Sequence, residues 1–436
     1  MTKDLSYLKN ELIENNTLDV SQYDKYEVKR GLRNKDGSGV LAGLTQISSV
    51  LGFHKIEGEL EPIEGVLKYR GITLKDVITT LDTAGRNYFE ATCFLLLVGR
   101  LPNKEELNEF ADYMHQNRFL PEEIKAGIIK NIPSKDIMNK LQTAVSALYA
   151  YDDDADNLDP YQNFLKSVQI IAKLPLIIAY SYVSAYKNSD NFVDPPKNYS
   201  QAEAFLYCLE EGKEPDSFDA KVIDLSLVLH AEHGGGNNST FTTYVVTSSG
   251  SDIYSTLAAA IASLKGPLHG AANKKVMEMM ADIKGSVKDW KDKEEVCRYL
   301  EKIINKEAHD KSGKIYGLGH AVYTKSDPRA VVIQDLAKDI AKSHNKEDEL
   351  RLYQLIAEEG PGVFQRVKGH DKVISPNVDF FSGFVYSCIG IPQEIYTPLF
   401  AMARAAGWCA HRIEENLSGK RIIRPGYKFI DAAKKK

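Results

Sequence analysis

Five groups of residues put histidine, aspartate, arginine and glycine where helix connectors would ordinarily be plain. They are LHAEHGGGNNST (229–240), GPLHGAAN (266–273), GLGHAVYTKSDPRA (317–330), SPNVDFFSG (375–383), and the arginine segments FAMARAAGW (400–408) and RIIRPGY (421–427). His269 stands between Gly266-Pro267, which end one helix, and Gly270, near which the next is expected to begin. An imidazole at the positive end of a helix is discouraged from taking a proton, so it can donate a hydrogen bond to a developing oxyanion as a neutral group. The alternative is a plain helix cap. Asp379 is followed by Phe380 and Phe381, and a carboxylate desolvated by rings becomes a stronger base. It could equally cap the apolar segment behind it.

His320 follows a Gly-Leu-Gly turn. A dinucleotide fingerprint would need a third glycine where Val322 stands and a strand before it, so the glycines are read as points of close backbone approach to a ligand. Arg329, just inside a helix begun by Asp327 and Pro328, can hold a carboxylate in its planar fork or simply pair with Asp327. Arg404 lies in an otherwise apolar helix and requires an anion, because an unpaired buried guanidinium is costly. Arg424, before Pro425, reads by its surroundings alone as a solvated basic residue. His230 and His233 have the spacing of a metal pair, but Gly234–Gly236 end the helix at once and no second cluster has ligand spacing. No metal site is expected.

The elements that must hold these residues are helices. Apolar periodicity predicts them over 219–231, 252–266, 271–283, 327–344 and 392–417, and around Tyr88, while strand alternation is limited to short pieces near Gly58–Tyr69 and Lys420–Tyr427. The chain reads as all-α. The small residues Ala258–Ala260, Ala262 and Ser263 let another helix approach, in the core or across a subunit interface. With 436 residues, 55 Lys plus Arg against 60 Asp plus Glu and a net charge of −5, no global positive field draws the protein to nucleic acid or an anionic membrane. The apolar stretches are interrupted, by Lys173 and Pro175 in one and by Arg404 in another, so no membrane span is expected. Five scattered cysteines without CxxC spacing, and a mixed-charge start in MTKDLSYLKNELIENN, predict a reducing, cytoplasmic location.

In this order, the histidine, aspartate and arginine motifs resemble those of the citrate synthase family over about residues 230–426; VLKYRGITLKDVI and YFEATCFLLLVGRLP are also similar to it. The first residues, roughly to Tyr26, carry no usable motif. The resemblance implies an all-α fold with a large helical domain (1–269 and 382–436) and a smaller mobile helical domain (270–381). It implies condensation of an acyl-CoA with oxaloacetate and hydrolysis of the thioester, with no cofactor and no metal. The acyl donor would be acetyl-CoA, or propionyl-CoA if the product is 2-methylcitrate. By the same resemblance, Asp379 is the base for the acetyl methyl, His269 the donor to the thioester oxygen, and His320 the group that binds and protonates the oxaloacetate carbonyl. His233, Arg329 and Arg404 would bind carboxylates together with Arg424 of the partner subunit in a homodimer. The backbone around Ile315, Gly317 and Gly319 resembles a CoA adenine loop, and Lys372, seven residues before Asp379, a phosphate contact, with Lys368 and Arg366 close enough to compete.

Overall fold

Helices begin where the sequence supplies a side-chain acceptor for the donors that a first turn leaves free. Asp216, Asp252, Asp292, Asp327 and Asn377 each accept a backbone N–H at the start of helices Ser217–His230, Ile253–Lys265, Lys293–Ile304, Pro328–Ser343 and Val378–Ile389. The computed structural model describes residues 4–56, 59–83, 85, 87–132, 134–369 and 373–430. Helices dominate them, as periodicity predicts. The helix expected near Gly270 starts at Ala272 and runs to Ser286.

Of the two expected strand regions, one forms a strand and one does not. Residues 420–427 form no strand; this stretch contains Pro425, which has no N–H to give a ladder. The strand expected near Gly58–Tyr69 is present as Glu59–Tyr69, the middle of an antiparallel sheet β1-β2-β3 of Ser48–Ile56, Glu59–Tyr69 and Ile72–Thr73 with a register shift between Leu51 and Phe53. The first two strands of the sheet carry Gly52 and Gly65, whose role is to let another loop come close.

By contact, the chain forms two units, Leu44–Ile422 and a second made of Met1–Gly43 with Ile423–Lys436. In the larger unit, two long helices organise the core. Pro160–Tyr186 has Pro160 in its first turn behind the Asp159 cap and carries Pro175 inside it. By length and composition it could cross a membrane, but 72% of its most apolar window is buried in protein, as a core helix requires. It packs on helix Tyr396–Ser418, which is buried without a break from Ala401 to Arg412. Helices Asn238–Thr247, Ile253–Lys265 and Ile137–Ala147 join this group. Helices Ala272–Ser286, Lys293–Ile304, Pro328–Ser343, Glu347–Lys368 and Val378–Ile389 pack among themselves. All five cysteines are buried and free.

The smaller unit contains helices Lys9–Asn16 and Ser21–Lys25, neither with a buried residue. Within it the Lys428 ammonium lies 5.5 Å from the centroid of the Tyr26 ring.

Candidate active site

Residues from both helix groups of the larger unit line one small polar cavity of about 110 Å³: His233, Asn237, His269, Arg404 and Phe400 from one side, His320, Arg329 and Asp379 from the other. Six residues singled out in the sequence thus converge.

The first wall is built where helix Ser217–His230 ends. Beyond it the chain turns at Gly234 (φ +87°) into helix Asn238–Thr247, setting His233 and Asn237 against the cavity. His233 Nε2 lies 3.2 Å from the Tyr323 hydroxyl. Burial, reinforced by Arg329, His320 and Arg404, pushes His233 well below the ordinary histidine range. His269 sits in the turn after helix Ile253–Lys265, where its N–H and that of Gly270 both donate to Gly266 O at 2.9 and 3.0 Å. Gly270 is required there: a Cβ would stand 2.1 Å from Leu264 O. His269 is neutral, down to about 4, because it is buried and faces Arg404. The helix that follows begins at Ala272.

The Ser239 hydroxyl tunes this ring. It accepts from Trp408 Nε1 at 3.1 Å and lies 3.1 Å from His269 Nε2 and 2.9 Å from Asn237 Oδ1. Its one proton goes to His269 or to Asn237, and that choice decides which imidazole nitrogen carries hydrogen.

The second wall is two loops joined edge to edge. Gly319 N donates to Ser375 O at 2.8 Å, Asn377 N to Gly317 O at 2.9 Å, and Asn377 Nδ2 to Gly319 O at 2.9 Å. Gly317 has φ +81°, and a Cβ there would meet Phe380 at 2.7 Å, so only glycine permits the join. Within the first loop, His320 Nδ1 accepts from Val322 N at 3.0 Å and Tyr323 N at 3.1 Å. An acceptor nitrogen carries no proton, so the ring hydrogen of the neutral form is on Nε2. Arg329 pairs with Asp327 through Nε at 3.0 Å and Nη2 at 2.7 Å, as one of the two expected alternatives has it, and it also lines the cavity.

Asp379 is not the helix cap. Asn377 caps, accepting Asp379 N at 3.0 Å, and leaves the Asp379 carboxylate for the cavity. Burial raises it to about 6, with Arg329 and Arg404 opposing and Asp327 assisting.

Arg404 is fully buried, with Nε donating to His230 O at 2.7 Å and the guanidinium 4.6 Å from the Phe400 ring centroid. Its Nη1 and Nη2 have no hydrogen-bond partner among the described residues. Burial pulls it down to about 10, against the attraction of Glu232, so it stays charged at neutral pH. A buried cation with two unused donors facing a cavity is a demand for an anion.

The remaining predicted residues lie elsewhere. Ile315 is buried, so its own side chain is not offered to a ligand. Arg424 is exposed and belongs to the smaller unit. Lys372 lies outside the described residues. Sequence reasoning missed Asn237, Phe400, Tyr323, Glu232 and His411. Asn237 and Glu232 were inside quoted motifs and Tyr323 was three residues from His320, but nothing in their types announced where they point. Among the described residues no group of three His, Cys, Asp or Glu is arranged to hold a metal ion, and His230 packs on Phe400 at 4.6 Å between ring centroids.

The arrangement offers a base on one wall, neutral N–H donors on both, and two guanidiniums, which suits proton abstraction beside a bound anion. Comparison with known proteins agrees. The family described as "Citrate synthase, C-terminal domain" matches residues 36–426. A citrate synthase of Deinococcus radiodurans is 39% identical over 372 residues, covering 85% of this chain and 90% of the relative. A 2-methylcitrate synthase of Shewanella oneidensis is 33% identical over 375 residues, with 85% and 90% covered. The ternary complex of carboxymethyl coenzyme A and oxaloacetate with citrate synthase from Thermoplasma acidophilum superposes with a TM-score of 0.75 at 27% identity, covering 94% of this chain and 99% of that one. With the family match spanning most of its length, the chain belongs to the citrate synthase family.

Proposed function

We propose that this chain condenses acetyl-CoA with oxaloacetate and hydrolyses the resulting thioester, releasing citrate and CoA. The observation that carries the reading is the cavity itself, where Asp379, His269 and His320 surround the unused donors of Arg404. Asp379 removes a proton from the acetyl methyl, and the C–H electrons become the enol double bond. His269 donates to the thioester oxygen as charge develops there. With the Ser239 proton given to Nε2, the hydrogen of His269 is on Nδ1. The enol carbon attacks the oxaloacetate carbonyl carbon, and His320 gives its Nε2 proton to the carbonyl oxygen. Water then attacks the citryl thioester and the CoA thiol leaves. His233, Arg329 and Arg404 hold the carboxylates.

Three further parts belong to the proposal. Residues 270–381 act as a smaller mobile domain, closing to keep water out until the carbon–carbon bond forms; their helices pack among themselves and carry His320, Arg329 and Asp379. Compaction in small-angle scattering on adding oxaloacetate tests this. The working form is a homodimer whose site is completed by Arg424 of the partner subunit, a reading supported by the exposed Leu12, Ile13, Leu41, Tyr427 and Phe429 of the smaller unit. Mixing Asp379→Asn and Arg424→Ala chains should then restore activity that neither has alone. The setting is cytoplasmic.

The deciding experiment is release of CoA thiol from acetyl-CoA and propionyl-CoA, each with and without oxaloacetate, in the presence of EDTA. Release that needs oxaloacetate and ignores EDTA is expected, with the larger kcat/KM on acetyl-CoA. A larger value on propionyl-CoA would make the product 2-methylcitrate, and no release with either donor would end the proposal.

A further inference from the structure

Behind the cavity wall, three hydrogen bonds run in line through side chains that the condensation does not use. Glu232 Oε1 lies 2.9 Å from His411 Nε2, His411 Nδ1 lies 2.7 Å from the Tyr244 hydroxyl, and that hydroxyl lies 2.9 Å from Glu414 Oε2. Glu232 and His411 have no exposed surface.

Three such contacts need three protons. The tyrosine brings one. A neutral imidazole brings one more, leaving two lone pairs facing each other in a buried contact, whereas an imidazolium brings two and satisfies all three with both glutamates ionised. A proton on Glu414 is the other way to complete the count. It is opposed by Gln46 N, which donates to Glu414 Oε1 at 2.6 Å, and by the nearby charge of Arg70. The Thr45 hydroxyl, 3.4 Å from Nδ1, does not remove the need for a proton in the 2.7 Å contact.

The chain of bonds ends on the loop that carries His233. Glu232 Oε1 also accepts Gly234 N at 2.5 Å and the Ser48 hydroxyl at 2.8 Å. Helix Tyr396–Ser418 grips the same loop turn by turn: Arg404 Nε on His230 O at 2.7 Å, Gly407 N on Ala231 O at 3.2 Å, then His411 on Glu232. Gly407 is what permits this, since a Cβ there would lie 2.1 Å from Glu232 Oε2. Burial alone would raise the Glu232 carboxyl; His411, Arg404 and Ser48 bring it down to about 2.

We propose that His411 is a buried imidazolium clamped between Glu232 and Glu414, and that this charge triad is a positioning device for the anion-binding half of the site. It holds residues 230–234 so that His233 and Arg404 meet the same ligand. The inference rests on the oxaloacetate reading of the cavity, but the charge on His411 can be read without any turnover.

The test uses the full chain. In wild type labelled with ring-15N histidine, one imidazole absent from His411→Gln should show both nitrogens protonated in the folded enzyme; a neutral signature at that ring would overturn the triad. In Glu232→Gln, the KM for oxaloacetate should rise about 10- to 100-fold, as misplacement of binding groups does, with the KM for acetyl-CoA nearly unchanged. His411→Gln, which keeps a donor for Glu232, should recover part of the loss seen in His411→Leu. A fall in kcat with both KM values unchanged would mean a merely structural role and would overturn the positioning claim. If wild type shows no oxaloacetate-dependent CoA release, the proposed function fails, and the labelling result still decides the charge. Should Glu232→Gln or His411→Leu not fold, the comparison of labelled wild type with His411→Gln decides it likewise.

Discussion

Asp327 grips Arg329 from the side, Nε to Oδ1 at 3.0 Å and Nη2 to Oδ2 at 2.7 Å, and its Oδ2 also accepts the N–H of Val378 at 3.2 Å. One buried anion therefore fixes both a carboxylate-binding cation and the first turn of the helix that carries Asp379. Asp327→Asn should leave the Arg329 charge buried and unpaired, a loss of about 3–5 kcal/mol in urea unfolding. Because Asp327 also raises Asp379, the acid limb of the pH–rate profile should move to lower pH in whatever activity remains. An unchanged limb would show that the two carboxylates do not sense each other.

Asp379 must be ionised to take a proton, and burial holds it at about 6. The kcat/KM for the acyl-CoA should fall about tenfold per pH unit below that value. His269, at about 4, adds no limb above it. The same shift has a stability sign. A carboxyl whose folded value is raised from 3.8 to about 6 favours the folded state fully at low pH, and that advantage is lost as pH rises through 6. Asp379→Asn should therefore be more stable than wild type at about pH 8, by up to about 3 kcal/mol, with the gap closing between about pH 6 and 4. Urea unfolding at the two ends checks it, and a gap independent of pH would contradict it. His269 acts oppositely: depressed from 6.5 to about 4, it costs stability as pH falls across that window.

Two buried arginines on helix Tyr396–Ser418 make a contrast. Arg412 is satisfied by the protein, its guanidinium reaching Asn163 Oδ1, Thr256 Oγ1 at 2.9 Å and Ser251 O at 2.8 Å, whereas Nη1 and Nη2 of Arg404 have no partner among the described residues. Arg404→Met should keep or gain thermal stability while losing about 2–5 kcal/mol of oxaloacetate binding. Arg412→Met should do the reverse, lowering Tm by stranding buried acceptors and leaving the KM of the folded fraction unchanged. Calorimetric titration and thermal melts separate the two, and equal losses of stability would refute the distinction.

The sequence made one of these arginines visible and not the other. Arg404 lay in an apolar segment, and its need for an anion followed from burial alone; Arg412, eight residues on, has the same setting and differs in the acceptors that reach it from Asn163, Thr247, Ser251 and Thr256. Helices were legible because caps and apolar period act locally, as at Asp327, although the helix that carries Asp379 is capped by Asn377 and not by Asp379 itself. Register and approach were not: that Gly407 admits Glu232, or that Gly317 admits Phe380, depends on residues far apart in the chain. His269 shows the mixed case, a neutral ring anticipated from its place before a helix, with burial and Arg404, 135 positions away, as causes that the local sequence does not display.

The β1–β2 hairpin supplies the last such approach. Thr324 Oγ1 donates to Gly52 O at 2.8 Å, Gly65 N donates to Ser326 Oγ at 3.1 Å, and Ser326 also bonds Glu64. A Cβ on Gly65 would stand 2.2 Å from Ser326 O and 2.8 Å from the Tyr323 ring. Tyr323 stacks on His320 at 4.8 Å and bonds His233, so a push there reaches two site histidines at once. Gly65→Ala should lower kcat by about 10- to 100-fold and raise the KM for oxaloacetate. Gly71 is the control: its φ of +85° makes alanine strained, yet no atom lies within 4 Å of the added carbon. Gly71→Ala should cost about 1 kcal/mol of stability and leave kcat intact. If Gly65→Ala behaved like Gly71→Ala, the hairpin would have no hold on the loop that carries His320.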